Sequence, residues 1–491
     1  MFTTNISEYS ELDITRRKVS KKLDPARRIE FGQFMTPNSI ASFMASLFTY
    51  GPNIRLLDPG AGIGSLTSAF LEVAIRKNAA VDVECWEIDS SLRSHLSATL
   101  NYWKGKSNGH IFSTVHSDDF IEDASFLLGM RANKSFTHAI LNPPYKKINS
   151  NSKHRRLLSE IGIETVNLYS AFVALCLDML SSEGELVAII PRSFCNGTYY
   201  RPFRELLLNK STIKQIHLFK SRSKAFKDDD VLQENIIIHL SKATSLDEVV
   251  ISTSLGSDFI DYAEYRCSYT SIVDLNSVNK FIHIPSNESE LRAPTICMHT
   301  LSEIGLQVST GPVVDFRAKD YLQSEVDEKS IPLIYAHNFI DGKLFWPKKH
   351  KKPNALKLST EIRKLLMPKG HYVLVKRFSS KEEKRRLVAY HLSPDDLKSD
   401  LVGFENHLNV YHCLKEGLDE FLARGLTIFL NSKIMDDHFR VFSGHTQVNA
   451  TDLRSIRYPS TKQLKELGKR SLEVPSDQLY IEDFLNELHM L

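Results

Sequence analysis

Four consecutive residues, Asn142-Pro143-Pro144-Tyr145, combine the groups needed to activate a weakly nucleophilic amine. Two prolines fix the backbone and remove two amide donors, leaving a stiff loop whose carbonyls are available as acceptors. An aromatic amine presents two N–H donors, and the Asn142 side-chain oxygen and the Pro143 carbonyl can accept both. That draws the nitrogen toward tetrahedral geometry and localises a lone pair otherwise delocalised into the ring. Such a nitrogen can attack a sulfonium methyl directly. It needs orientation more than a strong base, because it sheds its proton only after gaining positive charge. Tyr145 adds an aromatic face for stacking on a base extruded from a duplex. Taken alone, the same run is also a proline-stiffened turn at a strand end.

Upstream, Leu56-Leu57-Asp58-Pro59-Gly60-Ala61-Gly62-Ile63-Gly64 reads as a strand, an acidic residue, a glycine-rich turn and a helix start. Glycine tolerates positive φ and lets a backbone approach a ligand closely. The spacing departs from the Gly-x-Gly-x-x-Gly of dinucleotide folds, and Asp58 at the loop mouth suits a zwitterionic amino-acid tail better than a pyrophosphate. Glu87, ending the next strand, can accept both ribose hydroxyl hydrogens of a nucleoside cofactor. After the third strand, Asp119 can accept from a cofactor's 6-amino group while Phe120 packs against its ring. Asp118 has the rival reading of a helix N-cap.

These groups need a scaffold, and residues 54–240 supply the pattern for one. Strand-like runs at Ile54–Asp58, Val81–Ile88, Ile111–Val115, Phe136–Leu141 and Glu185–Ile190 alternate with helix-like spacing at Ser65–Lys77, Ser91–Tyr102, Leu168–Leu180 (strongly amphipathic) and Arg201–Leu208. Ile213–Phe219 and Glu234–Leu240 read as a final strand pair. Alternation of this kind predicts an α/β fold, a mostly parallel sheet with helices on both faces and ligands at the carboxyl ends of its strands. After residue 243 the alternation fades. The predicted organisation is a catalytic domain over 1–243 with a basic arm at 1–30, a connecting region over 244–294, and an α+β domain over 295–491.

The chain has 491 residues, 42% hydrophobic and 25% charged, which suits a soluble protein of two domains. No apolar run is long enough to span a membrane. Six scattered cysteines without a C-x-x-C pair predict reduced thiols in a cytoplasm and no metal site; Asn406-His407 and His412 lack a third ligand at useful spacing. The net charge of +3 says little, but its distribution is uneven. Fifteen Lys or Arg face three Glu between Lys343 and Arg386. Further clusters are Arg16, Arg17, Lys18, Lys21, Lys22, Arg27 and Arg28, and Lys146, Lys147, Lys153, Arg155 and Arg156 beside the proline loop. Each is compatible with a solvated face. Together they predict a polyanion partner.

Phe34-Met35-Thr36-Pro37, the glycine loop, Glu87, Asp119-Phe120, Asn142–Tyr145 and Asn167-Leu168-Tyr169 follow one another in that order. This order resembles the gamma class of amino DNA methyltransferases, the adenine-N6 enzymes that accompany type II restriction enzymes. The resemblance spans most of the chain and is strongest between Phe34 and about Leu240. It implies a Rossmann-like S-adenosylmethionine-dependent methyltransferase domain followed by a DNA target-recognition domain. It implies cofactor contacts from Thr36, Asp58, Pro59, Gly60, Gly62, Glu87, Asp119 and Phe120, and catalysis by Asn142, Pro143, Pro144 and Tyr145. A second aromatic stacking on the flipped base falls at Phe226, with Phe219 as rival. Lys376, Arg377, Lys381, Lys384, Arg385 and Arg386 become phosphate or base contacts.

The activity implied is methylation of adenine N6 at a specific site in double-stranded DNA, within a restriction–modification system of a bacterial or archaeal cell. The expected partner is a separate cognate nuclease. The expected state is a monomer, since one recognition domain suffices to modify one strand at a time. Cytosine N4 is the nearest alternative target, although serine more often leads the loop there. Protein glutamine or RNA guanine methylation predicts an extra domain ahead of the sheet, whereas here the extra mass follows it. A fused nuclease has no convincing motif, for Asp315 and Asp327-Glu328-Lys329 lack strand context and the Thr-Pro motif begins by residue 34.

Overall fold

The computed structural model describes residues 11–22, 35–131, 135–221, 234–243, 247–273, 275, 278–285, 299–379, 383–442 and 447–471. The chain divides into two compact units, Met1–Glu288 and Ser289–Leu491.

In the first unit, α1 (Glu11–Lys22) and α2 (Asn38–Ser46) precede a nine-stranded sheet. The chain then runs β1 (Asn53–Pro59), α3 (Ser65–Arg76), β2 (Ala80–Trp86), α4 (Ser90–Lys106), β3 (Ile111–His116), α5 (Phe120–Gly129) and β4 (Phe136–Leu141). It continues through α6 (Lys153–Glu160), α7 (Leu168–Met179), β5 (Leu180–Pro191), α8 (Arg201–Lys210), β6 (Thr212–Phe219), β7 (Asn235–Ser241), β8 (Glu248–Ser254) and β9 (Ala263–Ser268). The strand order is β3-β2-β1-β4-β5-β7-β6-β8-β9. The first five strands are mutually parallel, β7 is antiparallel to both β5 and β6, β8 runs parallel to β6, and β9 turns back on β8. The order reverses between β1 and β4, so their carboxyl ends flank the crevice where an open α/β sheet takes its ligand.

Central strands buried on both faces read as continuous apolar runs, and Leu186–Ile190 of β5 is fully buried along its length. The same burial changes the character of α7. Expected to be amphipathic, it is buried all round, from Tyr169 to Leu177 and at Met179, and is a core helix. The expected connecting region is also corrected. Residues 248–268 form β8 and β9, and Val249 and Ile251 are fully buried, so this polar-looking segment extends the first unit's sheet. Buried Ser252, Thr253 and Ser254 at the end of β8 and the exposed Glu264 and Arg266 of β9 disguise it. No helix among the described residues is long and apolar enough to cross a membrane.

The second unit holds an antiparallel sheet of Gln307–Thr310, Leu408–His412, Tyr372–Lys376 and Ala389–Leu392, in that order. A five-stranded sheet lies beside it in the same unit. Helices Glu420–Leu430 and Thr461–Arg470 cross at Gly425 and Gly468, where a Cβ on Gly425 would sit 1.8 Å from the Leu464 carbonyl oxygen. Only glycine permits that approach.

Candidate active site

A cavity of about 390 Å³ opens at the carboxyl ends of the parallel strands, a size typical of small-molecule sites. Thr36, Gly60, Gly62, Glu87, Asp119, Phe120 and Asn142 all contribute to its wall, so most of the residues singled out from the sequence converge there.

The glycine loop is built by its own hydrogen bonds. Gly60 and Ala61 donate to the Trp86 carbonyl (2.8 and 3.0 Å), and Gly64 donates to Ala61 (2.8 Å). Gly64 sits at φ +88°, and a Cβ there would come within 2.9 Å of Leu96 Cδ1, so both conformation and space require glycine. Glu87 Oε2 accepts from the Gly62 amide (2.8 Å) and Oε1 from the Asp89 amide (2.7 Å). Each oxygen keeps a lone pair for a ribose hydroxyl. Burial raises the Glu87 carboxyl above its ordinary value, and those two amides oppose the rise.

Asp58 and Pro59 are placed differently from expectation. Both are buried and neither lines the cavity. Asp58 Oδ2 accepts a 2.5 Å hydrogen bond from the Thr67 hydroxyl on α3, so this carboxyl ties the strand to the helix behind the loop. The Asp58 side chain points into the interface between β1 and α3 rather than the crevice, which spacing alone does not reveal. Asp119, not Asp118, caps α5: its Oδ1 accepts from the Ile121 and Glu122 amides (2.8 and 3.2 Å). Its Oδ2 is 3.1 Å from His154 Nε2 on α6. Phe120 packs edge-on to Trp86 and tilted against Phe172.

At the other end of the cavity, Asn142 is clamped. Its Nδ2 donates to Thr36 Oγ1 (3.0 Å), and the Tyr145 hydroxyl donates toward Asn142 Oδ1 (3.0 Å) and the Ile189 carbonyl (3.1 Å). The Thr-Pro segment, the proline loop and β5 thus fix one amide. Donation from Nδ2 polarises the amide and makes Oδ1 a better acceptor. Burial pushes the Tyr145 phenol up, so it stays a donor. Pro144 lines the cavity, Pro143 is buried behind it, and Tyr145 lies outside the lining. Of the two candidates for a second stacking face, Phe219 is buried in the core against His217, which removes it. Phe226 lies outside the described residues.

The cavity suits S-adenosylmethionine. Its apolar lining (Ile88, Ile121, Phe172) lies alongside the carboxylates of Glu87 and Asp119, and the glycine loop leaves the backbone bare between them. Sequence reasoning misses His154, Lys146 and Lys147 as cavity-wall residues. The two lysines register in the sequence only as charge, and His154 stands outside every motif.

The expected DNA contacts fare unevenly. Arg386 is fully buried: its backbone N–H donates to Asp436 Oδ1 (2.6 Å) and its guanidinium to the Ser379 carbonyl. It is a structural arginine, which corrects its assignment to DNA. Arg385 donates to the Asn431 carbonyl, Arg377 to the Asn406 carbonyl (3.1 Å), and Lys376 pairs with Glu383 (2.8 Å). Lys384 is exposed, and Lys381 lies outside the described residues. In the same basic stretch Lys349 and Lys351 are exposed, on a loop that Asn354 fastens by accepting from the Lys348 amide (2.9 Å). Of the N-terminal basic cluster, Arg16 is buried against Asp13 (2.7 Å).

Comparison with known proteins gives four findings. Residues 31–226 match the model of the Eco57I restriction-modification methylase family. The chain is 51% identical over 473 residues to the type II methyltransferase M.BsuBI of Bacillus subtilis, covering 94% of each chain. It is 41% identical over 487 residues to the type II methyltransferase M.PstI of Providencia stuartii, covering 97% of this chain and 96% of the other. Among solved structures, the DrdV–DNA complex aligns with a TM-score of 0.52 at 12% identity, over 94% of this chain and 60% of that one, a likeness of fold alone.

Burial raises the Asp58 carboxyl to about 7, against the hydrogen bonding of Thr67. A carboxyl raised in the native state stabilises fully below its unfolded value, and loses that contribution as pH rises through the native value. Wild-type stability relative to Asp58→Asn should therefore fall by about 2 kcal/mol between pH 5 and pH 7 in urea unfolding. A pH-independent difference would mean Asp58 titrates normally.

Proposed function

This chain belongs to the type II DNA methyltransferases of restriction–modification systems, whose methyl donor is S-adenosylmethionine, and we propose on that premise that it methylates adenine N6. The observation that carries the reading is the clamped Asn142 amide in the wall of the cofactor cavity. Bound in that cavity, the cofactor supplies an electrophilic methyl group. Asn142 Oδ1 and the Pro143 carbonyl accept the two N–H hydrogens of the target amine, turning its lone pair toward the methyl. Glu87 holds the ribose hydroxyls and Asp119 the cofactor's 6-amino group. Thr36 closes the methionine end and keeps the Asn142 oxygen oriented. Tyr145 has two roles, a hydroxyl that anchors Asn142 and a ring beside the target base.

Asparagine at the head of the loop supports adenine over cytosine N4, where serine more often stands. Phe226 remains the candidate for the second stacking face. Asp58 and Pro59 act from behind the glycine loop rather than on the cofactor. In the second unit, the exposed Lys349, Lys351 and Lys384 contact phosphates. Lys376, Arg377 and Arg385 shape that surface through their internal bonds. A monomer acting beside a separate cognate nuclease fits a single recognition unit.

Two measurements test this. Incubation with labelled cofactor and unmethylated double-stranded DNA, followed by nucleoside analysis, should yield N6-methyldeoxyadenosine; N4-methyldeoxycytidine would replace the target assignment. Converting Lys349, Lys351 and Lys384 together to Gln should reduce the slope of log Kd against log salt by about 0.9 for each phosphate no longer neutralised. An unaltered slope would take all three out of the interface.

A further inference from the structure

We propose that His154 is a positioning residue for the cofactor's adenine, keeping the Asp119 carboxylate an acceptor for the 6-amino group. The proposal rests on the reading of Asp119 as the adenine-binding carboxylate.

Asp119 Oδ1 is used by the α5 amides of Ile121 and Glu122. Only Oδ2 can serve a ligand, and His154 Nε2 lies 3.1 Å from it, both residues lining the cavity. An oxygen has a second lone pair, so Oδ2 can accept from His154 and from an exocyclic amine at once. Without His154 the outcome differs. A ligand filling the cavity strips water from a carboxylate that the structure leaves partly exposed, at 27%. Desolvation raises the pKa of a carboxylate with no cation beside it, against the pull of the two α5 amides, so that it takes up a proton as the pH falls. The resulting O–H would point at the N–H of the amine, donor against donor.

The pair is already biased toward the charged form. Burial favours neutral Asp119, yet its hydrogen bond to His154 leaves the carboxyl below its ordinary value and raises the imidazole. The other charges acting on the pair, Glu122 and Lys153, are of opposite sign. Glu122 and Lys153 join at 2.5 Å, and Glu87 and Asp118 share the cavity wall with Lys146 and Lys147. The two cap bonds hold the Asp119 side chain in place by themselves, so removing the imidazole changes charge more than position.

The test is calorimetric titration of the full chain with S-adenosylhomocysteine, which reads binding without turnover, at pH 8.0 and pH 5.5. Each variant is expressed as its Kd relative to wild type at the same pH. His154→Ala should bind about 5-fold more weakly at pH 8.0, the loss of one hydrogen bond, and about 30-fold more weakly at pH 5.5, where Asp119 protonates. His154→Gln, a neutral donor, should restore affinity to within about 3-fold at pH 8.0 but not at pH 5.5. Affinity within 2-fold of wild type at both pH values, or an equal loss at both, would overturn the proposal. Asp119→Asn separates the two layers. If it binds like wild type, the adenine assignment of Asp119 fails and His154 with it. If it binds weakly while His154→Ala does not, only the role of His154 fails.

Discussion

Positioning one amide oxygen is the demand around which the first unit is organised. Asn142 follows β4 directly, and a free side chain there would rotate among staggered states. Three separate segments suppress that freedom. Thr36, ahead of the sheet, takes the amide's hydrogen, while the Tyr145 hydroxyl at the far side of the proline loop reaches both Oδ1 and the β5 carbonyl of Ile189. A nucleophile as weak as an aromatic amine gains most from acceptors that are already in place before it arrives, since they need no reorganisation as charge develops.

The sheet topology explains why the cavity lies beside that oxygen. Reversal of strand order between β1 and β4 opens the crevice at their carboxyl ends. The glycine loop leaves β1 and the proline loop leaves β4, so the two chemistries are neighbours by construction. Glu87 beyond β2 and Asp119 beyond β3 follow outward along the same edge, and together they place two carboxylates in the cavity wall. Behind the loop, Asp58 and Thr67 join β1 to α3, and a carboxyl raised to about 7 there marks how thoroughly water is excluded.

Much of this is legible in the sequence because the relevant signals are local. Gly64 and the prolines act through their own backbones, and strand-to-loop alternation alone puts Glu87, Asp119 and Asn142 at the ends of strands. What is not legible depends on partners distant along the chain. The direction of the Asp58 side chain is set by Thr67 and by the fold of α3, and β8 and β9 are hidden because buried Ser252, Thr253 and Ser254 and the exposed residues of β9 break the continuous apolar run that marks β5. Arg386 shows the hazard of reading charge without depth. It stands in a basic stretch, yet Asp436 and Ser379 draw it into the interior of the second unit. His154 belongs to no motif, and only the packing of α6 against α5 brings it to Asp119.

The central claim is that the Asn142 amide acts on the target amine and not on the cofactor. Measuring both the single-turnover methyl-transfer rate and the cofactor Kd for Asn142→Ala addresses it most directly. The account predicts a rate lowered at least about 1000-fold, roughly 4 kcal/mol of barrier, with the Kd within about 3-fold of wild type. A rate close to wild type, or a loss carried wholly by cofactor affinity, would contradict it.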